Sequence, residues 1–455
     1  MININENAST KITRKTMGVC DVCGEKVQAY ITETDKDIFF CKSCVNHGDK
    51  QVRISRKKYY NDLEQFYFPL IEKKPQCSVE MVELVVTFKC NISCPICYLG
   101  DFKKKLNDFD PTLEEINDFA KGCSYPALVI SGGEATCRED LPEIIAILKR
   151  YGKTVSLNTN GIKLADFNYA LKLKTAGIDR INIQFTGFDR EAEKALRGAD
   201  YNPAKLKAIK NLEKLKISTG LNALIVGEVN EEQIGGIIDF GVKSEFVKMV
   251  NLSVLIFVGY TKNYPQSNYL MPDDIIQLAE KQTKGMIVTQ NVYIFKKLEI
   301  VVSSFLNKNT CLYHQGYLLV VKGGAAEPID AYINLRKIEP YLNMYQKIYL
   351  QNILFAKLYL LLVFPIALLI NAKFFKICGN LFNYVFSYFF NRKYFLESSL
   401  LKTIVFSVEC DNYRKDYAMY GKNCPCKAVF FVKRNGTNFE KHAQPVEDTY
   451  WFLWR

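Results

Sequence analysis

The run Phe-Lys-Cys-Asn-Ile-Ser-Cys-Pro-Ile-Cys-Tyr at residues 88–98 decides how the rest of the chain is interpreted. Its cysteines, Cys90, Cys94 and Cys97, have the spacing that lets three thiolates from one loop hold three corners of a cubane [4Fe–4S] cluster. The open fourth iron can chelate S-adenosylmethionine, and one electron then breaks the carbon–sulfur bond to give a 5′-deoxyadenosyl radical. The alternative is a structural metal loop with three cysteine ligands.

A second pattern lies further along the chain, where a predicted strand, Ala127–Ser131, runs directly into Gly132, Gly133 and Glu134. Two residues without Cβ would let main-chain carbonyls approach the methionine ammonium, and the carboxylate of Glu134 would add an acceptor. Taken alone, this sequence is typical of an ordinary turn between a strand and a helix. Because it follows the cysteine loop, the combination resembles the radical S-adenosylmethionine superfamily.

The composition of the chain limits the number of domains, the cellular compartment and the classes of partner. The chain has 455 residues, 48% hydrophobic and 24% charged, which is enough for a large core divided between two or three domains. Fifteen cysteines without a secretory signal favour metal ligation in the cytosol over disulfides. The net charge of +12 is compatible with an anionic membrane or with nucleic acid. Since no helix-turn-helix, RNA-recognition or zinc-finger signature accompanies it, we expect no nucleic-acid partner.

Two cysteine pairs near the N-terminus indicate a second metal site. Cys20 and Cys23 form the first pair, Cys41 and Cys44 the second, and a His-Gly dipeptide follows at residues 47–48. Two pairs at this separation build a tetrahedral site of four thiolates that holds zinc or a single rubredoxin-type iron. We predict that these four cysteines bind one metal ion, with a mainly structural role.

Short apolar runs alternate with amphipathic stretches from residue 81 onward. The strand candidates are Val82–Phe88, Ala127–Ser131, Thr154–Asn158, Arg180–Phe185, Gly220–Val226 and Val247–Ile256, and helical patterns lie between them. This rhythm predicts an α/β fold, a partial (β/α)6 TIM-type barrel with its active site at the carboxyl ends of the strands. Polar residues expected at those ends are Asn158, Asn160 and Gln184. They are candidates for cofactor and substrate contacts, or else turn residues that cap the next helix.

The rhythm stops beyond residue 300. Residues 341–403 are dominated by Leu, Ile, Phe and Tyr and carry seven Lys or Arg against one acid. Within them Ile353–Ile370 is 18 residues long, just short of a comfortable membrane span. An interfacial or lipid-binding helix pair, a buried core helix and a transmembrane segment all remain open.

Cysteines recur towards the C-terminus, where their grouping predicts an auxiliary iron–sulfur cluster although their spacing is irregular. Its candidate ligands are Cys311, Cys410, Cys424 and Cys426.

Within the superfamily, the chain resembles the branch of tetraether lipid synthases and related radical methyltransferases that act on pterins. The resemblance covers most of residues 18–335. It rests on the cysteine pairs, on Cys94-Pro-Ile-Cys-Tyr98, Ser131-Gly-Gly-Glu-Ala-Thr136, Gln184-Phe-Thr-Gly187, Leu196-Arg-Gly198 and Met271-Pro-Asp-Asp274, and on the segment Gly227–Gly235.

The chain also departs from the pattern of this branch. Ala135 replaces the usual proline after the glutamate, and Thr186 replaces an aspartate that would face the barrel mouth. A Pro-Cys element expected near Tyr293 is missing, so one auxiliary cluster is absent or differently ligated. Residues 340–455 match weakly, which allows a different substrate or membrane attachment.

The resemblance implies a radical enzyme with a [4Fe–4S] cluster, S-adenosylmethionine, a zinc or mononuclear iron ion and an auxiliary cluster. It implies a transferase that forms carbon–carbon bonds. The apolar, basic C-terminal segment favours a lipid substrate, lipid biosynthesis and peripheral contact with the inner face of the cell membrane. Alternatives are a methyltransferase on a soluble substrate such as a pterin, and an iron–sulfur electron-transfer protein.

Three regions follow from these patterns: a metal knuckle at residues 16–50, the barrel at 81–300, and a mostly helical extension at 301–455. The expected partners are S-adenosylmethionine, a lipid or other small substrate, and a reductant such as ferredoxin or flavodoxin. The expected location is the cytoplasm.

Overall fold

The computed structural model describes most of the chain between residues 11 and 370 and three short C-terminal strands. The described residues are 11–20, 22–23, 25–72, 81–100, 110–255, 259–265, 268–306, 314–322, 325–370, 401–407, 429–434 and 437–442.

The N-terminal module is a four-stranded antiparallel sheet in the order β1-β2-β3-β4. Its strands are β1 (Lys11–Val19), β2 (Lys26–Glu33), β3 (Asp37–Cys44) and β4 (Gly48–Arg56). Alternation along β2 and β3 turns Ala29, Ile31, Ile38 and Phe40 to one face, where they form a small core with Tyr60. The predicted knuckle is therefore the tip of a complete sheet.

Charged groups dock this module against the barrel. The Arg56 main-chain N–H donates to Asp273 Oδ2 over 2.8 Å, and its guanidinium donates to Asp274 Oδ1 over 3.2 Å. Arg53 also pairs with Asp274. Burial and the neighbouring Asp274 raise the pKa of Asp273 from 3.8 to about 6, while Arg53 opposes this shift.

We expect this interface to lose stability as the pH rises from about 4 to about 6. The raised pKa means that Asp273 binds its proton more tightly in the folded protein than in the unfolded chain. Its contribution to the free energy of unfolding is therefore complete below the unfolded pKa and is lost as the pH rises through the folded pKa. Melting curves across this range should show a shallower pH slope for Asp273→Asn than for the wild type. Equal slopes for the two proteins would contradict the assignment.

The barrel contains the six predicted parallel strands in chain order. They are β5 (Met81–Thr87), β6 (Ala127–Gly132), β7 (Thr154–Thr159), β8 (Arg180–Phe185), β9 (Ser218–Ile225) and β10 (Val247–Val254). The partial-barrel prediction is confirmed, with strand ends that differ from the predicted ones by two residues or fewer.

C-terminal strands extend this sheet at both edges; the sequence indicated one of them, an apolar strand at Tyr317–Val321, but not the pairing with the barrel. On one side β13 (Leu401–Ser407) pairs parallel to β10, and β11 (His314–Lys322) and β12 (Ala325–Pro328) follow. On the other side β14 (Val429–Arg434) pairs parallel to β5 and is followed by β15 (Thr437–His442). The C-terminal region therefore contributes strands as well as helices.

Helices cover the outer face of the sheet. They are α1 (Gln65–Glu72), α2 (Leu113–Gly122), α3 (Leu141–Arg150), α4 (Phe167–Thr175), α5 (Arg190–Arg197), α6 (Asn202–Lys214), α7 (Ile234–Lys243), α8 (Pro272–Gln282), α9 (Thr289–Phe305), α10 (Leu335–Gln351), α11 (Ile353–Leu362) and α12 (Phe364–Ile370). Outward side chains of the strands, such as Leu157 and Ile183, are fully buried against these helices. The main core therefore lies between the sheet and the helices.

Buried Lys402 fastens β13 to the helical layer. Its ammonium donates to the carbonyls of Gly241 and Val242 over 2.7 Å each, and to the carbonyl of Ser244. These carbonyls lie at the end of α7, where a helix leaves acceptors without partners. A cation at this position also complements the helix dipole.

The predicted continuous helix Ile353–Ile370 is divided into α11 and α12 at Val363. Leu354 is 77% exposed and Phe355 is 64% exposed, and Leu358, Leu361, Leu362 and Ile366 are exposed as well. None of the helices in the described ranges combines the length and the apolar content that crossing a bilayer requires.

Candidate functional site

The cysteine loop leaves the carboxyl end of β5 and lies over the mouth of the barrel. Cys90, Cys94 and Cys97 are all half-buried. The Cys97 N–H donates to the Cys94 carbonyl over 3.1 Å, and the Tyr260 N–H donates to the Cys97 carbonyl over 3.0 Å. Three accessible thiols on one anchored loop suit a cubane cluster with one open iron.

The two glycines at the end of β6 have a role that the sequence did not suggest. Gly132 has φ +142°, and a Cβ there would lie 2.0 Å from the Thr87 carbonyl oxygen. A Cβ on Gly133 would lie 2.4 Å from the Phe88 oxygen and 2.5 Å from the Lys89 oxygen. The space beside both glycines is thus filled by the first residues of the cysteine loop. Their main contribution is to seat that loop.

Glu134 is almost completely buried and is already engaged by protein donors. Its Oε1 accepts from the hydroxyls of Thr136 and Thr159 over 2.6 and 2.7 Å, and from the Thr136 N–H over 3.1 Å. Its Oε2 accepts from the Asn160 N–H over 2.7 Å. The carboxylate therefore ties the ends of β6 and β7 together, and only Oε2 keeps capacity for a ligand such as the methionine ammonium.

The predicted amides lie at the expected barrel end. The Asn160 amide donates to Asn91 Oδ1 in the cysteine loop over 2.7 Å, which links β7 to that loop. Asn158 Oδ1 accepts from Asn182 over 2.9 Å. Gln184 Oε1 accepts from the ammonium of Lys205 over 2.7 Å. Asn160 thus supports the cluster loop, whereas Asn158 and Gln184 belong to the barrel interior.

A buried ion pair fixes Gln184. Lys205 and Glu193 are both fully buried, and their charged atoms are 2.6 Å apart. Burial and the nearby Arg197 lower the pKa of Lys205 to about 8, and Glu193 opposes this shift. Gln184 therefore presents a fixed amide to the lumen.

Arg197 is a functional candidate that was not singled out from the sequence. It is nearly buried, and its Nε lies 3.5 Å from Thr186 Oγ1. No ion pair of its guanidinium is found in the described part of the chain, and position 186 has threonine where the resembling branch has aspartate. A guanidinium at this position is suited to the carboxylate of a methionine moiety. The Leu-Arg-Gly motif at residues 196–198 was the sequence pattern that could have indicated this candidate.

Polar side chains line the inside of the barrel. Residues that alternate with the buried outward positions point inward, and most of them are only half-buried, so the lumen is accessible. These inward residues include Ser156, Asn158, Asn182, Gln184, Asn222, Asn251 and Ser253. The lumen therefore offers hydrogen-bonding groups beside the apolar side chains of Leu224 and Met249.

The N-terminal metal site has a different ligand set from the predicted one. Cys20, Cys23, Cys44 and His47 place their ligand atoms within 4.8 Å of one another. The sulfurs of Cys23 and Cys44 are 3.9 Å apart, close to the roughly 3.8 Å expected for two thiolates on one tetrahedral zinc. His47 Nδ1 lies 3.5 Å from the Cys20 sulfur and 3.4 Å from the Cys44 sulfur. This donor set suits zinc.

Cys41 does not join this group, which corrects the prediction of four cysteine ligands. It lies within β3 opposite Tyr30, and its buried sulfur is 3.4 Å from Thr32 Oγ1. Burial raises the pKa of Cys41. For Cys20, burial raises the pKa, but hydrogen bonds from the Cys23 and Val22 backbone outweigh it and bring the value to about 6. Cys20 thus favours the metal-binding thiolate form.

We expect His47→Ala to lose the N-terminal metal and Cys41→Ser to retain it. Three thiolates without the imidazole leave the tetrahedral shell incomplete, whereas Cys41 contributes no ligand. Zinc content measured after chelator challenge distinguishes the two variants. Loss of zinc in Cys41→Ser with retention in His47→Ala would restore the original ligand set.

The prediction of an auxiliary iron–sulfur cluster stays a prediction. Cys311, Cys410, Cys424 and Cys426 all lie outside the described residues.

Comparisons with known proteins agree with this geometry. The profile described as Radical SAM superfamily matches residues 84–241, and the profile described as HMPTM N-terminal zinc ribbon domain matches residues 12–56. The second match corresponds closely to the four-stranded N-terminal sheet.

Relatives with a curated name include two kinds of enzyme. The chain is 29% identical over 361 residues to the 7,8-dihydro-6-hydroxymethylpterin dimethyltransferase of Methanocaldococcus jannaschii, a match that covers 71% of each chain. It is 34% identical over 194 residues to a probable GTP 3′,8-cyclase of Sulfurisphaera tokodaii, covering 41% of this chain and 59% of the cyclase. This chain therefore spans less than two thirds of the length of that cyclase.

Among solved structures, Streptococcus suis SuiB bound to precursor peptide SuiA has 17% sequence identity and a TM-score of 0.39. That match covers 50% of this chain and 49% of SuiB.

Proposed function

Since this chain belongs to the radical S-adenosylmethionine superfamily, we propose that it is a radical methyltransferase whose acceptor is a small polar heterocycle of the pterin class. The polar lumen is the observation that carries this proposal. Asn158, Asn182, Asn222 and Asn251 bring both donors and acceptors to the inner face of the barrel. Such groups suit the edge of a heterocycle, whereas a lipid chain would leave the half-buried amide of Asn222, for which no partner is found among the described residues, unpaired at a cost of about 1–3 kcal/mol.

Two further observations support the methyltransferase over lipid coupling. The N-terminal sheet matches a zinc ribbon profile named for this type of protein, and the relative that covers 71% of the chain is a pterin dimethyltransferase. Both matches include regions outside the common barrel. They therefore bear on the particular branch as well as on the superfamily.

The chain's own groups have separate tasks in this reaction. A [4Fe–4S] cluster on Cys90, Cys94 and Cys97 supplies one-electron cleavage of S-adenosylmethionine when it is bound. Gly133 lets the cysteine loop rest against β6, and Arg197 offers a charge-assisted bond to the methionine carboxylate. The amide-lined lumen orients the acceptor below the loop.

The test is a reconstituted reaction with S-adenosylmethionine, a chemical or flavodoxin-type reductant, and 7,8-dihydro-6-hydroxymethylpterin. We expect a methylated pterin by mass spectrometry, and no such product when Cys94→Ala replaces the wild type. Formation of 5′-deoxyadenosine without any methylated pterin would reject this acceptor class and leave the radical chemistry intact.

Lipid coupling at a membrane surface is the second candidate, and the exposed face of α11 and α12 favours it. Leu354, Phe355 and Leu361 protrude from a segment with a basic composition, as in helices that lie in a bilayer interface. The enzyme would then be peripheral at the inner face of the membrane and would act on lipid chains.

Co-sedimentation with vesicles of phosphatidylglycerol and phosphatidylcholine tests the interfacial contact. Under this candidate, binding rises with the anionic fraction, weakens with salt and falls in a variant with Leu354→Gln and Phe355→Gln. A matched Lys357→Gln variant separates the charge contribution. Absence of vesicle binding by the wild type would contradict contact with a membrane surface. An unchanged lipid extract from an expressing host would contradict lipid coupling.

A further inference from the structure

The segment that follows β10 meets the cysteine loop backbone to backbone. A short 3₁₀ helix runs over Gly259–Asn263, and its Tyr260 N–H donates to the Cys97 carbonyl over 3.0 Å. A Cβ on Gly259 would lie 2.3 Å from the Tyr98 oxygen and 2.4 Å from the Cys97 oxygen, so glycine is needed for this close approach. The position of the short helix therefore determines where the backbone of Cys97 lies.

Tyr269 connects this short helix to the packing of the cysteine loop. Its buried ring belongs to the same apolar cluster as Ile96 of the loop, and the half-buried Cys94 packs against that cluster. Its hydroxyl donates a hydrogen bond to the carbonyl of Thr261 in the short helix. One side chain thus takes part in the packing of the loop and holds the helix that binds Cys97.

Two anchors fix the chain on either side of Tyr269. Before it, the Asn268 side chain donates to the Gly227 carbonyl over 2.6 Å, and the Gly227 N–H donates to the Asn268 carbonyl over 3.0 Å. After it, the Met271 N–H donates to Asp274 Oδ2 over 2.9 Å. Tyr269 is therefore held between the loop that follows β9 and the first turn of α8.

The N-terminal sheet completes the second anchor. Asp274 Oδ2, which accepts from Met271, also pairs with the guanidinium of Arg53 in β4. Arg56 donates to the other oxygen of the same carboxylate, Oδ1, over 3.2 Å. The Asp274 side chain is only 11% exposed, so removal of its cationic partner leaves a charge that is largely shielded from water. The sheet thus holds the carboxylate that fixes the chain carrying Tyr269.

We infer that Tyr269 positions the cysteine loop for its iron–sulfur cluster, and that the N-terminal sheet supports Tyr269 by fixing Asp274. Tyr269 acts through Thr261 and Ile96, so it is a positioning residue. The inference goes beyond the proposed function, because it holds for any acceptor. It gives the N-terminal sheet a part in the radical chemistry, although the sheet lies outside the barrel.

Anaerobic hydrogen exchange of the reconstituted full-length protein tests this inference. The amides of Cys97 and Gly100 are hydrogen-bonded within the loop, over 3.1 Å each, and their protection measures how often the loop opens. We expect these amides to exchange about fivefold faster in Tyr269→Phe, which loses one hydrogen bond and keeps the ring. Arg53→Gln should accelerate the same amides, although residue 53 belongs to another module.

The midpoint potential of the cluster is a second readout, which a general role in stability would leave unchanged. A looser loop admits water, and water favours the more negatively charged, reduced form of the cluster. We therefore expect a higher potential in both variants at the iron and zinc content of the wild type. A redox titration followed by electron paramagnetic resonance measures this shift.

Each variant has a matched control. Tyr332→Phe matches Tyr269→Phe, because Tyr332 is also buried and its hydroxyl donates to another residue, Glu327. Lys149→Gln matches Arg53→Gln, because Lys149 and Asp179 also form a partly buried ion pair, at the end of α3. Both controls should show wild-type exchange in the loop and a wild-type potential.

Faster exchange and a raised potential in both variants, with neither control affected, would support the inference. Wild-type behaviour of Tyr269→Phe would overturn the role of Tyr269, and wild-type behaviour of Arg53→Gln would overturn the role of the sheet. Equal changes in the controls would indicate general loosening and would overturn both. Circular dichroism identifies a variant that does not fold, and the milder Arg56→Gln then takes the place of Arg53→Gln.

Discussion

Cys94→Ala should eliminate reductive cleavage of S-adenosylmethionine, with at least a thousandfold loss of 5′-deoxyadenosine. Two thiolates do not hold a cubane cluster that keeps one iron open, so the electron has no route to the sulfonium. Quantifying 5′-deoxyadenosine after anaerobic reconstitution and reduction measures this effect. Iron and sulfide content should fall in parallel.

Cys123→Ala is the matched control for this variant. Cys123 is a half-buried cysteine at the end of α2, and Lys153 donates a hydrogen bond to its main-chain carbonyl. We expect this variant to cleave S-adenosylmethionine normally. Wild-type rates in Cys94→Ala would reject the cluster assignment.

Gly133→Ala should be almost as damaging, although residue 133 offers no metal ligand. The added methyl group would lie 2.4 Å from the Phe88 oxygen and 2.5 Å from the Lys89 oxygen, and both are backbone atoms. The cysteine loop must move away, which breaks the bonds from Gly133 N–H to Thr87 and from Glu134 N–H to Lys89, each 2.8 Å long. We expect a folded protein with little cluster.

Iron content and the electron paramagnetic resonance signal of the reduced cluster measure this loss. Gly122→Ala is the matched control, because a Cβ there meets nothing within 4 Å. A Gly133→Ala protein with full iron content and a normal signal would show that the loop tolerates the displacement.

The sequence predicted the barrel because parallel strands buried under helices have a strong apolar rhythm. It identified the cluster loop and Glu134 as well, but it did not reveal what Glu134 contacts. The donors from Thr136, Thr159 and Asn160 converge only when the ends of β6 and β7 become adjacent. A pattern along the chain contains no information on such convergence.

The ligand set of the metal knuckle could not be predicted from the sequence for a different reason. In Cys41-x-x-Cys44-x-x-His47, two overlapping pairs, Cys41 with Cys44 and Cys44 with His47, both have metal-ligand spacing. Pairing of Cys41 with Tyr30 and Gln51 keeps Cys41 inside the sheet, and the turn after β3 brings His47 back to Cys44. Strand register decides between Cys41 and His47 as the fourth ligand, and strand register cannot be read from the spacing of the cysteines.

The position of β13 has a consequence for biosynthesis. Strand β10 ends at Val254, and its partner β13 begins only at Leu401. At roughly 5–20 residues per second, a ribosome needs on the order of ten to thirty seconds to make the intervening chain. During that interval the edge of the barrel has unpaired backbone groups that attract other strands. Protection of the nascent chain must last until Lys402 emerges and locks the late strand onto a helix made long before it.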